Sequence, residues 1–138
     1  MKILFIAPRF HTNMIEWIRV LQNNNHKIFM STLVSQETED YELIKPTKFK
    51  LSIFSQFINF IFGDGGENLK RGFPDVIIYI KYLKKIKPDV IIVRDLSRWF
   101  SILAILVSIF INTKLIIYSQ NKIYNKFNLK RRFLHNII

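Results

Sequence analysis

Two hydrophobic periods alternate along the chain. Residues 2–8, KILFIAP, are apolar after Lys2 and end at Pro8. A strand without polar alternation is buried on both faces, so this run predicts a strand at the centre of a sheet. Met14, Ile18 and Leu21 then recur on one helical face, and Asn13 with Glu16 has capping-box spacing, which predicts a first helix. Asn23, Asn24 and Asn25 end it, because asparagine tolerates the left-handed backbone that helix ends need. HKIFMSTLV, residues 26–34, predicts a second strand.

The middle of the chain is less regular. Residues 35–50 carry four of the ten acidic groups and little periodicity, which predicts a loop with a short strand near residues 49–53. SIFSQFINFIF has partial helical spacing and stops at GDGGEN. All four glycines lie between Gly63 and Gly72, which predicts the most flexible stretch there. Pro74 suits the first position of a helix, where a missing amide costs nothing. Val76, Ile77, Ile80 and Leu83 continue that helix, and Lys84, Lys85 and Lys87 crowd its last turn, where cations suit the dipole. After Pro88, DVIIVRD is the clearest strand, and its β-branched run points to parallel pairing. A helix over about 98–111, a strand over 114–120 and a terminal helix in FNLKRRFLHNII complete the pattern.

Strands alternating with helices, without an internal repeat, predict an α/β fold: a mostly parallel sheet of about five strands with helices on both faces, one domain over residues 1–138. Ligands of such sheets bind at the carboxyl ends of the strands. That rule selects residues 9–13, 95–98 and 119–121.

Composition adds direction. With 138 residues and 49% hydrophobic content the chain can bury one core. Cysteine is absent, which excludes a disulfide framework and makes a cytoplasmic location the default expectation. The formal charge is +11, and every acidic residue lies at or before Asp95. Seven cations follow with none to balance them, a distribution that attracts phosphates of lipids, nucleotides or nucleic acid, or that is simply a solvated surface. The apolar run before Arg9 is too short for a secretory signal. The thirteen uncharged residues from Trp99 to Ile111 fall short of the roughly 20 a spanning helix needs.

The first turn, APRFHTN, contains no glycine, so it lacks the dinucleotide fingerprint and disfavours NAD and FAD. GDGGEN lacks the lysine-serine pair of a phosphate-binding loop. No histidine pair has metal-ligand spacing, so neither cofactor nor metal is expected. His11 stands where a base or a hydrogen-bond donor to a sugar hydroxyl would be useful; the bland reading is an exposed loop histidine. Asp95 suits hydroxyl recognition and equally suits capping the next helix. Gln120 and Asn121 offer amides fit for polyols or for a turn.

KILFIAP, IEWIRVLQNNNHKI, KKIKPDVIIVRD and KLIIYSQN together resemble the N-terminal, acceptor-side half of family 4 retaining glycosyltransferases of the GT-B type, over residues 1–33 and 74–125. The resemblance implies a Rossmann-like three-layer domain, one of two that face each other across a cleft, the second holding most of the nucleotide sugar. It places Arg9, His11, Asn13, Asp95 and Gln120 on the acceptor wall. Two departures bear on this. PRFHTN stands where the family often has a glycine pair, and no two glutamates are separated by seven residues, the family's donor-site spacing. The expectation is therefore an incomplete GT-B first half, a fragment or part of a split enzyme, inactive alone and meeting a nucleotide sugar only if a C-terminal domain is supplied. The implied acceptor is a glycan or lipid-linked glycan of capsule or lipopolysaccharide synthesis. Lys126, Lys130, Arg131 and Arg132 would then contact an anionic inner membrane face, at about 1 kcal/mol per cation. The alternatives are a stand-alone flavodoxin-like binding module and, less favoured, a basic nucleic-acid-binding domain, which lacks the aromatic-glycine signatures of common RNA modules.

Overall fold

A computed structural model describes residues 1–34, 41–62, 71–94 and 96–118. The apolar run at the start forms β1 (Lys2–Ile6) and HKIFMSTLV forms β2 (Lys27–Thr32); between them lie a 3-10 turn (Thr12–Met14) and α1 (Ile15–Asn23). β3 (Thr47–Lys48), α2 (Ile53–Ile61), α3 (Val76–Ile86), β4 (Val90–Arg94), α4 (Trp99–Phe110) and β5 (Lys114–Tyr118) follow. The sheet has five strands in the order β3-β2-β1-β4-β5, and every pair is parallel. This is a Rossmann-like α/β architecture. The order differs from the 2-1-3-4-5 of flavodoxin-like domains.

β1 is central because its side chains alternate between two apolar layers. Leu4 and Ile6 join Ile91 and Val93 in a core completed by Tyr79, Leu83, Phe100, Ala104 and Val107 of α3 and α4. Ile3, Phe5 and Ala7 face the other way, with Met30, Ile92, Phe10, Met14 and Ile18 of the α1 side. Helices thus cover both faces, which is why neither β1 nor β4 shows polar alternation. β5 is less buried than β1 and β4, and its Ile116 remains half exposed.

Local chemistry shifts several predicted boundaries. Asn13 and Glu16 form no capping box: no side chain caps the 3-10 turn or α1, and Asn13 lies inside the turn. Burial of Phe10 and Met14 against the sheet draws this segment in before the helix begins, and that packing overrides the cap. Pro74 does not start α3. Asp75 does, its Oδ1 accepting from the Ile78 amide at 3.0 Å, while Pro74 bridges Leu51. The short strand expected near 49–53 sits earlier, at Thr47–Lys48, because Ser52 caps α2 and turns the chain helical at Ile53. Asn25, Lys87 and Asn112 have positive φ, and Asn25 ends α1 as its residue type suggests. Asp95, GDGGEN, Gln120 and the terminal basic segment lie outside the described residues. Among the described residues no helix is long and apolar enough to cross a membrane.

Candidate functional site at the carboxyl rim

β1 connects through α1 to β2 on one side of itself, and β4 connects through α4 to β5 on the other. The reversal falls between β1 and β4, where neighbouring connections diverge and leave a crevice at the carboxyl ends. Four residues stand at this end of the sheet: Arg9 and His11 follow β1, Arg94 closes β4, and Arg98 precedes α4. Arg94 is in register with Tyr118, which closes β5.

Backbone bonds hold the β1 exit in place. Pro8 carbonyl oxygen accepts from the amides of Leu33 (2.9 Å) and Val34 (3.1 Å), and the Met14 amide donates to the His11 carbonyl at 2.8 Å. Phe10 is buried beneath the turn against Tyr41, with ring centroids 5.6 Å apart, so Arg9 and His11 project on the opposite side of this anchor. Arg9 Nε donates to His11 Nε2 at 3.4 Å, which fixes that nitrogen as an acceptor.

The imidazole is therefore neutral, and its surroundings keep it so. Burial lowers the His11 pKa to about 4, helped in turn by the charges of Arg94, Arg9 and Arg98. Three guanidinium groups thus act electrostatically on one ring. Burial also raises the Tyr118 pKa, an effect Arg94 opposes, so its hydroxyl stays protonated and able to donate. Trp17 of α1 packs on Tyr118 at 5.1 Å between ring centroids and is half exposed. Such a wall combines positive charge, a neutral imidazole, a phenol and an aromatic face, a set suited to anionic and hydroxyl-bearing ligands.

Among the described residues no side chain caps the two helices that begin at this rim, whereas α2 and α3 are capped by Ser52 and Asp75. The Ser101 hydroxyl near the start of α4 instead donates to the Arg94 carbonyl at 2.9 Å and holds the β4 exit against the helix.

Of the residues singled out in the sequence, Arg9 and His11 come together here. Asn13 is exposed and joins neither by a hydrogen bond, while Asp95 and Gln120 lie outside the described residues. Arg98 falls in the 95–98 stretch that the strand-end rule selects, whereas Arg94, Tyr118 and Trp17 lie outside the selected stretches; Arg94 and Tyr118 carry the signal of position, each closing a strand. A concavity of about 1020 Å³ lies at the opposite rim, lined by Lys84, Lys87, Asp89 and Lys114 among others. Helices α3 and α4 end there, so this rim offers helix carbonyl ends beside its lysines, whereas the carboxyl rim offers helix starts. Compared with known proteins, the chain matches no family model, no curated protein and no solved structure.

Proposed function

We propose that this chain is the acceptor-side half of a two-domain sugar transferase of the GT-B type, and that the crevice between β1 and β4 holds the acceptor. The observation that carries the reading is the convergence of Arg9, His11, Arg94 and Arg98 at the point where the strand order reverses. In this proposal guanidinium groups pair with a phosphate of a lipid-linked acceptor, and neutral His11 and Tyr118 hydrogen-bond its sugar hydroxyls. A nucleotide sugar would be held by a second domain, and this chain alone would transfer nothing. The glycan would belong to a surface polysaccharide such as capsule or lipopolysaccharide.

Amide chemical shifts recorded during titration with inorganic diphosphate, and separately with neutral methyl glycosides, test this. Shifts should cluster at Arg9, His11 and Arg98, and Arg98→Gln should weaken diphosphate binding by about tenfold, as expected for one charge-assisted contact. Shifts confined to Lys84, Lys87 and Lys114, or none, would remove the crevice from the proposal.

A further inference from the structure

A surface helix normally turns its polar stripe to water. α2 does the reverse. Ser55 and Asn59, one turn apart, are completely buried, while Ile53, Phe54, Phe57, Phe60 and Ile61 are largely exposed, with Phe62 beside them. Ile53 is 86% and Phe60 81% exposed, so these side chains stand out from the surface instead of lining a groove. The apolar surface continues beyond the helix. Phe54 lies 6.3 Å from Phe73, whose ring stacks on Trp99 of α4 at 5.8 Å. Phe73 and Trp99 then open onto a groove of about 280 Å³ shared with Val76, Ile102, Leu103 and Leu106.

The inward polar stripe is built into the fold. Ser55 Oγ donates to the Arg71 carbonyl and accepts from the Phe73 amide, both at 3.3 Å, and the Ser52 amide donates to the Phe73 carbonyl at 2.9 Å. These bonds fix which way the helix faces.

We infer that the outer face of α2, with Phe73 and Trp99, embeds in the interfacial layer of an anionic lipid bilayer. Two observations select lipid over a protein partner. Residues 43–62 contain three lysines and no acidic residue, and Lys45, Lys48 and Lys50 are exposed immediately before the helix. At the other end the Arg71 guanidinium lies over the Phe62 ring at 4.2 Å. An uncharged apolar helix flanked by cations complements a negative leaflet. Projecting knobs, moreover, need a deformable medium, whereas a protein partner would need matching holes. Nine residues make a helix about 14 Å long, so it lies in the interface and does not span it. This inference stands whether or not the transferase reading holds.

The test is co-sedimentation of the full chain with phosphatidylcholine vesicles and with vesicles that also contain phosphatidylglycerol. In a Trp17→Phe background, emission from Trp99 reports insertion. The wild-type chain should bind the anionic vesicles with a blue shift, and Phe57→Ser with Phe60→Ser should weaken binding by about tenfold or more. Both positions are exposed, so melting temperature should be unchanged and loss of fold is checked directly. The inference is overturned if the wild-type chain ignores vesicles, or if the double variant binds as well as wild type, which would leave binding to other cations. It is equally overturned if light scattering finds a dimer that the double variant dissolves, because a second copy would then cover this face.

Discussion

His11 resists protonation in the folded protein down to about pH 4, whereas the same ring in the unfolded chain protonates near 6.5. Between those values the unfolded state binds more protons, so the stabilisation is complete above about 6.5 and is lost as pH falls toward 4. The ring is only partly buried, so solvent screening keeps the effect small. NMR titration should place the His11 midpoint near 4, and the melting temperature of wild type should fall more than that of His11→Gln between pH 7 and 4. A midpoint near 6.5 would mean that neither burial nor the arginines act on the ring. Tyr79 offers a second test at this scale. Its ring is buried among Phe49, Tyr82 and Phe100, but its hydroxyl has no hydrogen-bond partner among the described residues, and burial pushes its pKa well up. An unpaired buried hydroxyl is destabilising, so Tyr79→Phe should raise unfolding stability by about 1 kcal/mol in a urea titration. A loss of stability would mean that the hydroxyl is in fact paired.

At the scale of elements, Ser55 does more than end a polar stripe. Ser55→Ala removes two part-buried hydrogen bonds, one to the Arg71 carbonyl and one from the Phe73 amide, which should cost about 1–3 kcal/mol. Exchange of the Phe73 amide should accelerate with it; unchanged exchange would show that α2 is oriented by its packing alone. The same helix marks the limit of sequence reading. Its existence follows from the spacing of SIFSQFINFIF, but spacing groups residues on a face without saying where the face points. The strands were more legible, because the unbroken apolar runs at 3–6 and 90–93, the second of them β-branched throughout, have few alternatives to a doubly covered sheet. The rim was legible by rule from the strand ends, and Arg9 and His11 were found that way. The register of Arg94 with Tyr118, and the contact of Trp17 with it, depends on how strands and helix align, which the local pattern does not encode.

For the whole molecule, the parallel β3-β2-β1-β4-β5 order joins distant segments: Ile3 pairs with Ile28 on one side and with Val90 on the other. Such pairings carry a large loop-closure entropy and slow folding. During translation the middle strand of the sheet emerges early and gains its β2 neighbour soon afterwards. Its other flank stays bare until Val90 leaves the ribosome, roughly 3 to 12 seconds later at 5–20 residues per second. For that interval the nascent chain presents an apolar, unpaired edge, and shielding by the ribosome or a chaperone decides how much of it reaches the native sheet.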